Sequence, residues 1–87
     1  MELDATEMTP VINRIKRAQG QLAGVLRLLE EGRDCEDVVT QLAAVSKALD
    51  RAGFAIVASG LQQCLAEGDG VDSVNVKKME KLFLSLA

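Results

Sequence analysis

Two residues carry most of the reactive chemistry in this chain: Cys35, in the stretch RDCED (33–37), and Cys64, in GLQQC (60–64). They are the only cysteines, and the chain has no histidine. Thiolates do two kinds of work: they hold soft metal ions, and they attack sulfur–sulfur bonds. Without imidazole, a mixed Cys/His metal site and a Cys–His nucleophile are both out of reach. Attack on a sulfur–sulfur bond has no such requirement. The plain alternative is that both are small buried hydrophobes, a common role of cysteine outside disulfides.

What a spacing of 29 residues means depends on the element between the thiols. Asp34 is placed to cap a helix, and Glu36 and Asp37 suit the positive end of its dipole. From there to Glu67 no proline intervenes, and Val38, Leu42, Val45, Leu49, Ala52, Ile56, Leu61 and Leu65 keep an apolar pattern going. Gly53 and Gly60 weaken the helix by roughly 1 kcal/mol each relative to Ala without breaking it. Gly68 and Gly70 end it. Along such a helix the two cysteines are separated by about eight turns plus roughly 20°, and by a rise of about 44 Å. They share a face at opposite ends. A disulfide needs Cα atoms within about 7 Å, so the two cannot meet inside one chain. An antiparallel dimer with its two-fold between Leu49 and Asp50 sets Cys35 opposite the partner subunit's Cys64, unless the helix breaks at Gly53. The helix dipole favours negative charge at the Cys35 end, against the opposing charges of Asp34, Glu36 and Asp37, and disfavours it at Cys64; in redox chemistry Cys35 is then the expected attacking thiol and Cys64 the resolving one.

Two further helices flank this one. Thr9 is read as an N-cap with Pro10 at the first helical position. Ile12, Ile15, Ala18, Leu22, Leu26 and Leu29 recur at helical spacing as far as Gly32, a natural stop. Arg14, Arg17 and Gln21 fall on another stripe of the same helix. After a loop over DGVDSV, Asp72 or Ser73 caps a short helix carrying Val76, Met79, Leu82 and Phe83. Residues 1–8 read as a disordered tail, and residues 1–87 as one domain. The expected class is all-α, a three-helix protomer. With 87 residues, Leu, Val and Ala in abundance and only two aromatics (Phe54, Phe83), the chain is too small to complete its own core. An antiparallel helical-bundle oligomer follows.

The net charge is −3, yet Pro10 to Leu29 holds Arg14, Lys16, Arg17 and Arg27 and no acid. A local basic patch binds phosphate even on an acidic protein, although such a run is commonly a solvated helix face. MELDATEM has no basic n-region or apolar h-region, no apolar run approaches membrane length, and two lone cysteines suit a reducing compartment. The expected location is cytoplasmic. No CxxC pair, general base or cofactor motif supports turnover, so neither an enzyme nor a cofactor is expected.

The stretch RIKRAQGQLAGVLRLLEEGRDCEDVVTQLAAVSKALDRAG, residues 14–53, resembles the copper-sensitive operon repressor (CsoR/RcnR) family. The similarity runs through Cys64 into the last helix. It implies an all-α dimer of dimers that binds operator DNA and is released by an inducer held between subunits. Copper-sensing members carry a Cys, then a His four residues before a second Cys. Cys35 and Cys64 match the thiol positions, but Gly60 stands where the His would be. Asp34 replaces a common aromatic residue, and Glu80 matches an acid outside the ligand set. Nickel and cobalt sensing relies on histidines, and the formaldehyde-responsive branch uses an N-terminal proline where this chain has Glu2. The pattern of two cysteines without the histidine resembles the persulfide-sensing (CstR-like) branch, in which di-, tri- or tetrasulfide links form between subunits. The alternative is Cu(I) held by the same two thiolates, without a third ligand. The resemblance places DNA contacts on Arg14 and Arg17, with Lys16 beside them, and on Lys47 and Arg51, which the expected two-fold gathers at mid-dimer.

Overall fold

Glycines set the two ends of the central helix hairpin. The computed structural model describes residues 2–70 and 72–87. Helix α1 spans Thr9–Glu30, α2 spans Cys35–Ala66 and α3 spans Val74–Leu86. Gly32 and Gly68 have φ of 65° and 92°, the left-handed conformation that glycine adopts without a Cβ clash. After α1, the N–H of Arg33 donates to the Leu28 carbonyl and that of Gly32 to Leu29. After α2, Asp69 donates to Cys64 and Gly68 to Leu65. Both are Schellman ends, in which backbone turning back on itself satisfies the last carbonyls. Helix α2 runs unbroken through Gly53 and Gly60, so the thiols are held a full helix length apart.

The starts of the helices follow the sequence less closely. Asp34 is the N-cap residue of α2, but its side chain makes no capping bond. Ser73 does cap α3, its hydroxyl accepting from Val76 N–H at 3.1 Å. Thr9 is not the cap of α1: Met8 is, with Thr9 the first helical residue. The reason lies in the segment expected to be a tail. Asp4 accepts from the N–H of Thr6 at 2.8 Å and starts a turn, and the Thr9 hydroxyl donates to the Thr6 carbonyl. This extra turn carries Met8 into the core beside Val11 and Ala52, with Ala55 and Ile56 against them.

Helices α1 and α3 both pack on α2 and not on each other. The result is a slab of 53 × 25 × 13 Å, about one helix diameter thick. Such a slab buries only a thin seam. From α1 it takes Val11, Ala18 and Val25, a row at seven-residue spacing whose short side chains let the helices approach. Of the apolar row Ile12, Ile15, Ala18, Leu22, Leu26 and Leu29, only Ala18 lies in this seam; the others are exposed in the protomer, Leu26 by 58% and Leu29 by 60%. On α2, Val39, Leu42 and Leu49 are exposed as well. Phe54 and Phe83 join α2 to α3, their ring centroids 5.3 Å apart and tilted by 57°.

Candidate functional site

The two thiols occupy different environments. Cys35 is the first residue of α2 and is exposed. Cys64 lies in the last turn and is 0% exposed within its own protomer. Burial pushes the Cys64 thiol above its ordinary value of 9.0, and the nearby carboxylates of Asp69 and Glu67 push the same way. Asp69 also hydrogen-bonds the thiol through its side chain. The fold-back after α2 places that carboxylate: Asp69 N–H donates to the Cys64 carbonyl at 3.0 Å, and the Asn75 amide donates to Asp69 Oδ2 at 3.3 Å. Three groups therefore converge at this end of α2, one from the helix, one from the loop and one from α3. The sequence marked Asp69 only as loop. Cys64 is thus held as a neutral, covered thiol, while Cys35 meets solvent.

One turn before Cys64, on the same face, Gly60 is buried. A Cβ placed there would lie 2.7 Å from Met79 Sδ and 3.8 Å from Met79 Cε. Met79 is the buried residue of α3, at 6% exposure. Its thioether fills the space that a side chain at position 60 would need. Among the described residues no group of three or more His, Cys, Asp or Glu gathers as a metal site.

A second feature lies at mid-length. Arg14 and Arg17 of α1 and Arg51 of α2 line one cleft, with Ala48 at its floor. Gln21 continues the Arg14–Arg17 stripe, its side-chain oxygen buried and unmet by any donor among the described residues. The one ion pair among those residues is Arg33–Glu31, so no carboxylate neutralises the three guanidiniums. Lys47 is exposed one turn before Arg51. Lys16 lies elsewhere, lining an apolar groove with Ile12, Ile15 and Ile56. The structure therefore brings together three of the five expected basic residues, leaves Lys47 adjoining and separates Lys16. Glu80 lines a different, apolar groove between α2 and α3, beside Met79 and Phe83.

Residues 7–85 match the family described as metal-sensitive transcriptional repressor. The chain belongs to that family, one of repressors rather than enzymes. Among its relatives, the copper-sensing transcriptional repressor CsoR of Mycobacterium ulcerans is 40% identical over 55 residues, covering 63% of this chain and 47% of that protein. The uncharacterized protein YrkD of Bacillus subtilis is 45% identical over 53 residues, covering 59% and 84%. The copper-sensing transcriptional repressor CsoR of Bacillus subtilis is 29% identical over 73 residues, covering 79% and 72%. The match spans about half the length of the mycobacterial relative.

The family description implies a metal; the soft donors that this chain offers one are the two cysteines and the Met79 thioether beside Gly60, since thiolates and thioethers suit Cu(I). Among the described residues, no helix is long and apolar enough to cross a membrane.

Proposed function

We propose that this chain is a cytoplasmic transcriptional repressor that binds operator DNA and is released when Cys35 and the partner subunit's Cys64 react with persulfide or polysulfide. The observation that carries this reading is the unbroken α2 with a thiol at each end, combined with a buried glycine where a third ligand would sit. The exposed rows on α1 and α2 are covered by other copies, in an antiparallel dimer and then a dimer of dimers. With the two-fold between Leu49 and Asp50, each exposed Cys35 comes opposite a covered Cys64. Arg14, Arg17 and Arg51 form the centre of the DNA face and Lys47 extends it, while Lys16 lies outside it. Such residues hold phosphates and make affinity steeply salt-dependent.

The chemistry is a two-electron oxidation of the thiol pair by sulfane sulfur. The Cys35 thiolate attacks the outer sulfur of a persulfide RSSH, forming a Cys35 persulfide and breaking the RS–SH bond, with RS⁻ leaving as thiol. The partner subunit's Cys64 then attacks Cys35 Sγ and breaks the bond to the outer sulfur, its proton passing by way of the neighbouring Asp69 to the departing hydrosulfide. The products are the intersubunit disulfide and H₂S. Each further bridging sulfur consumes one further persulfide donor. Asp69, bonded to the Cys64 thiol, is placed to take its proton as the second attack begins.

Mass spectrometry of the reduced protein after polysulfide, paired with operator binding, tests the reading. Cross-linked dimers differing by the mass of one sulfur, with loss of DNA binding, are expected. If Cu(I) alone releases the operator while polysulfide leaves it bound, the two thiols are a metal site and the sulfur reading is wrong.

A further inference from the structure

We propose that Asn75 is a positioning residue of the resolving step: its side-chain amide holds the Asp69 carboxylate where it can take the proton of Cys64. This rests on the sulfur-sensing reading and gives that reading a residue it does not yet use. Asp69 stands in the loop between α2 and α3, where a two-torsion side chain turns into solvent unless something fixes it. Contacts on both sides fix it. Its N–H donates to the Cys64 carbonyl at 3.0 Å, which seats the backbone over the last turn of α2. Its carboxylate meets the Cys64 thiol, and its Oδ2 accepts from Asn75 Nδ2 at 3.3 Å. The last of these comes from α3, of which Asn75 is the second residue. Both side chains are half-buried, and the amide is neutral, so it orients the carboxylate without adding a charge. Proton transfer needs donor and acceptor held within hydrogen-bond reach. In the resolving step the Cys64 proton passes to Asp69, Cys64 Sγ bonds to Cys35 Sγ across the interface, and hydrosulfide leaves, taking the proton up as H₂S.

The resolving step can be read without any persulfide. Dithiobis(nitrobenzoate) loads the exposed Cys35 as a mixed disulfide and releases one coloured thiolate. Attack by the partner subunit's Cys64 then releases a second, at a rate independent of reagent concentration. That leaving group departs as a stable anion, so the one proton moved is the one Cys64 loses. Four full-length, reduced proteins are compared: wild type, Asn75→Ala, Asp69→Asn and the double variant. Asp69→Asn should slow the second release roughly 100-fold, the lower end for a positioned base. Asn75→Ala should slow it about tenfold, within the factors of roughly 2 to 150 by which residues in contact couple, and leave the first release unchanged. In the double variant the Asn75 change should cost nothing further, because no base is left to hold. Should Asn75→Ala not fold, Asn75→Asp, of the same shape but without the donor, is read in its place and should slow the second release at least as much. The proposal is overturned if the Asn75 change leaves the second release unchanged or speeds it by loosening α3, or if it slows the Asp69→Asn protein as much as wild type. A wild type without a second release would remove the pairing of the thiols and the proposal with it. A wild type that resolves the mixed disulfide yet ignores polysulfide would sink the sulfur-sensing reading alone.

Discussion

Arg51 offers the most quantitative test of the nucleic-acid face. Each protomer presents three unneutralised guanidiniums around one cleft, and the proposed two-fold doubles them to about six phosphate contacts per dimer, a log–log salt slope of about −5.4. Between 50 and 200 mM salt, affinity for duplex DNA then falls roughly 2,000-fold, since each contact releases about 0.9 of a counterion. Arg51→Ala removes two contacts per dimer, flattening the slope to about −3.6 and the loss to roughly 150-fold over the same range. Arg51→Lys keeps the charge and should keep the slope. Arg27, at the far end of α1 and outside the cleft, serves as the control. Fluorescence anisotropy with a labelled duplex at a series of salt concentrations reads all four proteins. A slope unchanged in Arg51→Ala but flattened in Arg27→Ala would mean that DNA lies along another face.

Three other outcomes follow from the thiols and their supports. Iodoacetamide should label Cys35 in the native protein and Cys64 only on unfolding, as peptide mapping before and after denaturant would show; equal labelling would contradict the covered position of Cys64. Burial, reinforced by Asp69 and Glu67, raises the Cys64 thiol above 9.0, so its stabilising effect is complete below about pH 9 and is lost as pH rises through the raised folded value. Melting temperatures should therefore fall more steeply above about pH 9 in wild type than in Cys64→Ala. Ser73→Ala removes the cap bond to Val76 at a cost of about 1 kcal/mol, measurable by urea denaturation, and should speed Cys64 labelling if α3 is the cover.

The sequence was most legible where backbone chemistry is local. Gly32, Gly68 and Ser73 act within a turn of their own positions, and each does what its residue type predicts. The continuity of α2 was also readable, because no proline interrupts it and two glycines are too weak a penalty. Periodicity was less informative about α1. It shows that an apolar row exists but not what covers it, and α1 carries two such rows. Helix α2 takes Val11, Ala18 and Val25, while the leucine row stays bare in the protomer. Thr9 was misplaced as a cap because an aspartate five residues earlier starts an extra turn. Met79 and Asp69 were missed as site residues for one reason: their significance lies in tertiary contacts. Met79 acts on a glycine 19 residues away in sequence, and Asp69 reaches Cys64 only once the chain has folded back past Gly68.

The asymmetry between the thiols bears on how a sensor without histidine avoids indiscriminate oxidation. A thiol that is neutral and covered reacts slowly with oxidants arriving from solvent, because the thiolate is the nucleophile and access limits attack. Cys64 is both neutral and covered. In the proposed mechanism the first event therefore falls to Cys35, and Cys64 acts only on a sulfur already delivered to the subunit interface. Its cover is shallow, since α3 is short and rests on Met79 and on the Phe54–Phe83 contact. The N-terminal end of α2 and the arginine cleft are carried by the longer α1–α2 hairpin. Histidine in such a site would supply a metal ligand and a base together. In the proposed mechanism the base role falls instead to Asp69, the carboxylate beside the Cys64 thiol.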